Sequence, residues 1–551
     1  MKKRIKTIVS LLTVTAVLLT GCGGNSGTGG TGENASGEDK TENVSGALTE
    51  ADKAEREKVA ADEKAALTTD FTVNMDSIKT GVIDGGESVH DPSILKVDGT
   101  YYIYGSHRSA AKSTNLRNWE YIYHGAPDDN PIWGDIYLSK DGALAYTGDT
   151  SSVVPANGLS IWAPDVKYSE KRGLYYMYFC TSSNYYTSTV CYATSPSPEG
   201  PFKWEGNLIY SGFTEELLDK TNVLDVVDKD YAVNTYMQNE GRSYNNKEYP
   251  NALDPSIFWD KDGKMWMTYG SWSGGIFLLE IDEETGKVIH PKADPDNNVD
   301  PYFGKKLLGG GHVSIEAPYI LYDKEADYYY LYLAYGGLEQ KKGYQIRVFR
   351  SKTVDGNYED MKGKHPEQGT GNHAYTGIKL SGNYRLPSLE EGYMATGHNS
   401  AFIDTDGKRY IVYHTRFENR GEFHQPRVHQ YLLNEEGWPC MLPYATDGET
   451  VSESGYDKSQ VVGEYYMINQ GTKIDSKIAE PVKIVLTEGG NIFGEDVQGM
   501  WKAKDGSYQV HMTLDGVDYS GVFCEMNDEA GTKVMTFSAV GENESLWGVK
   551  Y

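Results

Sequence analysis

The chain has 551 residues and a formal net charge of −27. A field of that sign repels phosphate, which excludes nucleic acid as a partner and an anionic membrane surface as a docking site, whereas a neutral or cationic ligand fits. Five cysteines are too few and too scattered for a disulfide scaffold, although Cys180 and Cys191 bracket a hairpin-like stretch and could pair.

Residues 1–22, MKKRIKTIVSLLTVTAVLLTGC, predict a secretory signal, because a basic head precedes a short apolar run and small residues. The closing LTGC resembles a bacterial lipobox, which implies that Cys22 becomes the lipid-modified first residue of the mature protein. The alternative is an ordinary signal peptide that contains a cysteine. Residues 23–66 predict a disordered tether, rich in Gly, Ser and Glu, followed by strong helix formers that indicate at most a solvated helical stalk.

A repeated pattern begins near residue 90. HDPSILKVDGTYYIYGS (90–106) returns as NALDPSIFWDKDGKMWMTYGS (251–271), and weaker copies occupy 162–179, 315–335 and 397–417. Each copy is an apolar strand, a turn and an aromatic strand, and further strand-like sequence follows most copies. Five such units predict an all-β fold, with a five-bladed β-propeller over residues 67–454 rather than a sandwich, whose strands would not recur in register.

Each copy holds a polar residue at what the pattern marks as the same place, and these residues should meet at the propeller axis. They are Asp91, Asp165, Asp254, Glu316 and His398. Hydrolysis of a glycosidic bond requires one carboxylic acid to protonate the leaving oxygen and one carboxylate to activate water or to attack. A third carboxylate raises the pKa of the acid by charge repulsion. The alternative for any single member is structural, because Asp in Asp-Pro-Ser commonly caps a turn.

The motifs VHDPSI, IWAPDV, NALDPSIF, SIEAPYI and TGHNSAF resemble those of the five-bladed propellers of glycoside hydrolase family 43, in particular the endo-1,5-α-L-arabinanases with a C-terminal β-domain. The resemblance covers residues from about 80 to the end. It implies that Asp91 is the general base, that Glu316 is the general acid, and that Asp254 raises the pKa of Glu316 and orients it. The family inverts configuration, so the two reacting carboxyls should lie about 6.5 to 9.5 Å apart.

The same resemblance assigns further residues to substrate and metal. Trp162 is predicted to stack on a sugar, with a packed core tryptophan as the alternative. Asn251, Arg416 and His424 are predicted to bind substrate hydroxyls, and Asp165 is assigned a structural or supporting role. His398 resembles the histidine that holds a calcium-like ion on the propeller axis mostly through water, an assignment that rests on the resemblance because calcium ordinarily takes several oxygen ligands.

Two further segments flank or interrupt the repeats. Residues 207–250 form a long insertion that we expect at the rim of the cleft, where it would change the accepted chain length. Residues 455–551 alternate apolar and polar positions between Gly and Asp turns, which predicts a small antiparallel β-barrel or sandwich. No acid pair in this second domain looks catalytic.

The sequence therefore predicts a secreted, lipid-anchored and monomeric hydrolase that cuts arabinan, the neutral side chain of pectin, from within. The alternatives are an exo-acting arabinofuranosidase or β-xylosidase with the same three acids, and a sugar-binding surface lipoprotein without activity.

Overall fold

The computed structural model describes residues 48–84, 86–124, 130–136, 141–148, 160–182, 184–366 and 373–551. The predicted signal, Cys22 and most of the predicted tether lie outside these residues. In the described part of the chain, no helix combines the length and the apolar character that crossing a membrane requires.

The chain first forms helix α1 (Glu50–Ala66), capped by the hydroxyl of Thr49, and none of its residues is buried. It is nevertheless docked on the C-terminal domain rather than free in solvent. Arg56 Nε donates to the Trp501 carbonyl at 3.1 Å, and the backbone N–H of Gly489 donates to Glu63 at 2.7 Å. The predicted stalk is thus a helix that polar contacts hold on the barrel. The sequence does not reveal this docking, because the helix has no stripe of apolar residues.

Five β-sheets then follow in chain order. Blade 1 consists of β1 (Ser93–Val97), β2 (Thr100–Gly105), β3 (Ser109–Ser113) and β4 (Glu120–Tyr123). Blade 2 consists of β5 (Ile161–Ser169), β6 (Leu174–Ser182), β7 (Ser188–Ser195) and β8 (Lys203–Ser211). The insertion contributes α2 (Lys229–Tyr236) and the ribbon β9 (Met237–Gln238) and β10 (Ser243–Tyr244). Blade 3 consists of β11 (Ser256–Trp259), β12 (Met265–Tyr269), β13 (Ile276–Asp282), β14 (Lys287–Ile289), β15 (Val299–Asp300) and β16 (Gly304–Leu308).

Blade 4 consists of β17 (Ile315–Asp323), β18 (Tyr328–Tyr335), β19 (Gln345–Ser351) and β20 (Ile378–Ser381). Blade 5 consists of β21 (Tyr393–Ile403), β22 (Arg409–Phe417), β23 (His424–Leu433) and β24 (Pro439–Met441). Short 3-10 helices cover Ser106–Arg108, Glu215–Lys220, Val223–Asp225, Pro295–Asn297 and His373–Tyr375. All five blades are antiparallel, as the repeated strand and turn pattern predicts, and four are simple meanders, whereas in blade 3 β13 pairs with both β14 and β16.

The turns explain why the repeats fold as hairpins. Asp98 and Gly99 join β1 to β2 and both have positive φ, 48° and 82°, as a two-residue turn compatible with strand twist requires. The first strands of neighbouring blades contact one another in turn, and β21 returns to β1. Ser400 Oγ closes this ring by donating to the Pro92 carbonyl at 2.7 Å. The five-bladed propeller is therefore confirmed.

The C-terminal domain is a closed eight-stranded antiparallel barrel, in which β25 pairs with both β26 and β32. It follows helix α3 (Lys458–Val461) and contains β25 (Gly463–Asn469), β26 (Val482–Leu486), β27 (Asn491–Gly494), β28 (Gln498–Ala503), β29 (Gln509–Leu514), β30 (Val517–Asn527), β31 (Lys533–Gly541) and β32 (Glu544–Lys550). Buried side chains such as Trp501 and Phe537 form its core. It packs on blades 4 and 5, where Ser545 Oγ donates to the Lys379 carbonyl at 2.7 Å.

The insertion buries aromatic side chains against blade 3. The Phe213 and Phe303 rings are stacked at 6.4 Å, and the Tyr236 ring meets Phe303 edge-on at 5.1 Å. Tyr236 also donates its hydroxyl to Asp300 at 2.9 Å. The segment is an ordered support for this blade.

Candidate active site

Each blade has a backbone kink in or just before its first strand, beside the axis. The residue at the kink has a left-handed φ in every blade: Asp91 (55°), Ala163 (42°), Asp254 (53°), Ala317 (55°) and His398 (47°). Proline follows it in the first four blades. Left-handed φ is unfavourable for residues other than glycine, and such strain concentrates at functional sites.

This kink corrects the predicted correspondence between the copies. Asp165 lies two residues after its blade's kink and therefore matches Ser93, while Glu316 lies one residue before its own and matches Leu253. An alignment on the acids therefore places the copies in blades 2 and 4 out of register with the others. In both of these blades the pairing of the first strand with the second also changes register at the kink. Asp91, Asp254 and His398 occupy the kink position of their blades. Glu316 occupies the position just before the kink of blade 4.

Asp91 is buried among donors. Its carboxylate accepts a hydrogen bond from Ser106 Oγ, and it lies 2.7 Å from His90 Nδ1 and 2.9 Å from His398 Nδ1. Burial alone would raise the pKa of Asp91, but the charges of His398 and His90 and their hydrogen bonds outweigh it, so the pKa lies well below its usual range. Asp91 is therefore held as a carboxylate.

Glu316 is also buried, but its pKa is raised rather than lowered. Trp272 Nε1 donates to Oε2 at 2.7 Å, Ser271 Oγ donates to the same oxygen at 3.1 Å, and the Tyr344 hydroxyl donates to Oε1 at 2.6 Å. Burial, and next the negative charge of Asp254, raise the pKa of Glu316 to about 7 in spite of the Tyr344 hydrogen bond. Glu316 can therefore carry a proton at neutral pH.

Asp254 is the third buried carboxyl of the site. Its Oδ2 accepts a hydrogen bond from the backbone N–H of Ala317, the residue after Glu316, at 3.2 Å. Burial raises its pKa, opposed by the charge of His398 and reinforced by that of Asp91. The three carboxyls predicted from the sequence thus form one buried cluster.

The kinks enclose a small cavity on the axis. Its volume is about 20 Å³, enough for about one ordered water, and its lining includes His398, Asn399 and Ser256. Both polar atoms of the Asn399 side chain and the hydroxyl of Ser256 are buried without a hydrogen-bond partner. The two unpartnered oxygens suit a water that is bound to a cation, and the cavity itself has room for about one such water. Burial opposes protonation of His398, but the Asp91 charge raises its pKa to about 9, and metal binding at its ring has to displace a proton.

A cleft of about 470 Å³ opens above Glu316. Its walls come mainly from the hairpins that join second and third strands, at 184–187, 270–275 and 336–344. Among the described residues that line it, none comes from 207–250, but the end of the insertion contacts the rim, where the Gly311 N–H donates to the Lys247 carbonyl at 2.7 Å. The volume suits a ligand of a few sugar units.

The predicted substrate residues fall into two groups. Asn251 lines the cleft, donates to the Ser271 carbonyl at 2.9 Å and leaves its own side-chain oxygen unpartnered. Trp162 is half-buried, with its ring 4.4 Å from that of His107 and 6.3 Å from that of Tyr185. Trp162 is thus partly open towards the blade 2 hairpin and is not a fully packed core residue.

Arg416 and His424 belong to a cluster of basic side chains next to Asp91. Arg416 is buried and donates to Glu422 at 2.7 Å, and its second nitrogen lies 3.2 Å from His414 Nε2. The His90 ring stacks on His414 at 4.2 Å and meets His424 edge-on at 5.0 Å. Neither predicted residue is among those that line the cleft above Glu316.

Several important residues were missed by the sequence reasoning, although one signal was available. The two Tyr-Gly-Ser endings of the strongest repeats place Ser106 on Asp91 and Ser271 on Glu316, and Trp272 follows the second of them. Tyr344 has no such signal, because it is one of 43 tyrosines and follows no repeated motif.

Cys180 and Cys191 do not form a disulfide, and the cysteines of the described residues are free and buried. Cys180 pairs with Val190 across β6 and β7, so the two thiols leave opposite faces of the sheet. Cys180 instead accepts a hydrogen bond from the Asp254 backbone N–H at 3.4 Å.

A carboxylate held ionised in the same buried cluster as a carboxyl whose pKa lies near neutrality and which lines a cleft provides the base and the acid that a glycoside hydrolase requires. Comparison with known proteins agrees. The profile described as glycosyl hydrolases family 43 matches residues 85–249 and 242–439, and one described as a C-terminal lipocalin-like domain matches 443–548. The chain belongs to glycosyl hydrolase family 43.

Similar proteins cover nearly the whole chain. An extracellular endo-α-(1→5)-L-arabinanase of Thermotoga petrophila is 39% identical over 84% of this chain and 93% of its own length. The extracellular endo-α-(1→5)-L-arabinanase 2 of Bacillus subtilis is 37% identical over 88% of this chain and 98% of its own. The crystal structure of a family 43 glycoside hydrolase from Bacillus licheniformis superposes with a TM-score of 0.72, at 37% identity, over 86% of this chain and 99% of that one.

Proposed function

We propose that this glycoside hydrolase cuts α-1,5-linked L-arabinan from within and works outside the cell. The observation that carries the proposal is the pair of buried carboxyls with opposite tendencies, Asp91 ionised and Glu316 with a pKa of about 7. The endo-arabinanase names of the full-length relatives support the substrate. A neutral polymer also suits a chain with a net charge of −27, which would be repelled by polygalacturonate.

The proposed reaction is a single displacement. Asp91 takes a proton from a water that attacks the anomeric carbon, while the bond to the departing oxygen breaks and Glu316 protonates that oxygen. The negative charge of Asp254 raises the pKa of Glu316 and keeps it protonated before the step. We expect inversion, so proton NMR of the first product should detect the β-anomer; first formation of the α-anomer would contradict it.

The substrate assignment is tested by initial rates of reducing-end release from debranched linear arabinan, xylan and polygalacturonate at equal concentration. We expect activity on arabinan alone. A faster rate on xylan would overturn the substrate and would favour the xylosidase alternative. Binding of arabinan without release of reducing ends would indicate a sugar-binding protein.

The pH profile should report Glu316. Protonated Glu316 is the active form, so kcat/KM should fall as pH rises through about 7. The charges near Glu316 that set this value are Asp254, Asp91 and His398, together with the hydrogen bond from Tyr344.

The Tyr344→Phe variant removes a donor that favours ionised Glu316. Its alkaline limb should therefore move to higher pH, whereas Tyr332→Phe, in the adjacent hydrophobic core, should leave the limb in place. An alkaline limb that moves to lower pH in Tyr344→Phe would contradict the assignment of Glu316 as the acid.

We also propose that His398 and waters bound to Asn399 and Ser256 hold a calcium-like ion on the axis. The support is the set of unpartnered oxygens that line the axial cavity. Such an ion would supply positive charge beside the carboxyl cluster. Calcium at about 100 times its Kd should stabilise the fold by about 2 to 3 kcal/mol, and His398→Gln should abolish this gain. Identical unfolding temperatures with calcium and with chelator would refute the ion.

We propose, finally, that the protein is secreted, is anchored through a lipid on Cys22 and acts as a monomer. The support is the lipobox-like LTGC and the extracellular designation of the relatives. Cys22→Ala should move the protein from the membrane fraction to the medium. Recovery of the unchanged chain in the medium would contradict the anchor, and sedimentation at twice the chain mass would contradict the monomer.

A further inference from the structure

Two tyrosines stand exposed at the tip of the blade 2 hairpin. Tyr185 is 43% and Tyr186 is 40% exposed, which makes them two of the few large apolar side chains open to solvent in the described part of the chain. Both line the cleft that contains Glu316. Among the described residues, neither phenol oxygen has a hydrogen-bond partner, so both are available to a ligand.

The hairpin is built to hold these side chains in place. The Tyr185 N–H donates to Ser182 Oγ at 2.8 Å, and the Tyr186 N–H donates to the side chain of Asn184 at 3.1 Å. From the neighbouring strand, Ser211 Oγ donates to the Tyr186 carbonyl at 2.8 Å. The tip is thus tied at successive backbone groups, which lowers the entropy that binding would otherwise cost.

The backbone of this tip is also strained. Tyr185 has a φ of 67°, in the left-handed region that a bulky aromatic residue rarely adopts. Gly212 packs so closely beneath the tip that a Cβ there would lie 2.3 Å from the Tyr186 carbonyl oxygen. An exposed aromatic residue in a strained conformation points to a function in recognition rather than in folding.

The two rings have different aromatic neighbours. The Tyr185 ring lies 6.3 Å from that of Trp162, whereas the Tyr186 ring lies 6.1 Å from that of His312. The His312 ring lies 5.6 Å from that of Trp272, whose indole N–H donates to Glu316. The two adjacent tyrosines therefore belong to two groups of aromatic rings. Tyr185 lies with Trp162, and Tyr186 lies with His312 and Trp272.

We propose that Tyr185 and Tyr186 form two sugar-stacking subsites on opposite sides of the cleavage point and thereby select longer arabinan segments. The proposal rests on the proposed function. Aromatic faces pack against the C–H faces of a furanose, while the free phenols can donate to its hydroxyls. A chain that spans both tyrosines is positioned from both ends, which favours cleavage within the polymer over release from its end.

The test uses Tyr185→Ala and Tyr186→Ala with linear arabino-oligosaccharides of increasing length, isotopically labelled at the reducing end. Each variant should lower kcat/KM for long substrates by about threefold to tenfold and leave the shortest substrate unchanged. The bond that is cleaved should shift in opposite directions in the two variants, because each loses a subsite on a different side. The phenylalanine variants should retain most of the length preference.

Tyr168→Ala is the matched control, because Tyr168 is also 43% exposed on blade 2 and does not line the cleft. Its length dependence and cleavage pattern should equal those of the wild type. Equal losses at every length, no loss at any length, or shifts in the same direction would overturn the two-subsite proposal. A wild-type protein that releases nothing from arabinan would refute the proposed function instead, before any variant is compared.

Discussion

Replacing Glu316 by glutamine should lower kcat/KM on linear arabinan by about two to four orders of magnitude, the usual contribution of a positioned general acid. Glutamine keeps the size of the side chain but cannot supply the proton that the departing oxygen requires. Its carbonyl can still accept the hydrogen bond from Trp272, so the fold should be retained. Steady-state kinetics, together with the thermal unfolding curve of the variant, checks both statements.

Glu325→Gln is the control for this experiment, because Glu325 lies just beyond the other end of β17 and contacts Arg409 at the surface. We expect it to retain wild-type kinetics. An aryl arabino-oligosaccharide whose leaving group needs no proton should recover much of the rate of Glu316→Gln. A variant that is slow on both substrates would contradict a role as general acid, and a variant as active as the wild type would refute any catalytic role.

Replacing Asp165 by alanine should destabilise the propeller by about 3 to 5 kcal/mol, the cost of leaving a buried partner charge uncompensated. Asp165 accepts from Ser93 Oγ at 2.5 Å, from the Ile257 N–H at 2.7 Å and from Lys167 Nζ at 2.9 Å. Lys167 also contacts the Tyr319 hydroxyl at 2.8 Å. One carboxylate thus connects blades 1, 2 and 3 directly, and reaches blade 4 through Lys167.

The charge argument has its own control. Burial would lower the pKa of Lys167, but the charge of Asp165 raises it above the usual value, so removing Asp165 leaves a half-buried cation without its partner. The double variant Asp165→Ala with Lys167→Met should therefore recover part of the lost stability. Denaturant unfolding measures both. An additive loss in the double variant would contradict the ion-pair explanation, and a single variant as stable as the wild type would refute the structural role of Asp165.

The sequence predicts the architecture well because the architecture is repeated. Asp-Pro-Ser, a short turn and an aromatic strand recur, and one local rule therefore suffices for the blades. The same repetition misleads at the site, where Asp165 and Glu316 were aligned with Asp91 although they lie two residues after and one residue before the kink. Residue type alone does not reveal a left-handed φ, and a shift of one residue in a strand exchanges its two faces.

The surroundings of the acids were harder to predict than the acids themselves. Tyr344 reaches Glu316 from the β18–β19 hairpin of the same blade, and Trp272 reaches it from a hairpin of blade 3, so both contacts depend on tertiary packing rather than on a local sequence pattern. The docking of α1 was missed because it depends on polar side chains such as Arg56 and leaves no apolar stripe. The insertion was expected at the cleft because of its length, yet its aromatic residues pack into blade 3.

The measurement that tests the central claim most directly is a time course of the products that the wild-type protein releases from debranched linear arabinan, resolved by chromatography. The account predicts a ladder of oligosaccharides in the earliest samples, which shortens with time, because a chain bound across the proposed subsites at Tyr185 and Tyr186 is cut within its length. Arabinose alone from the first sample onward would contradict it.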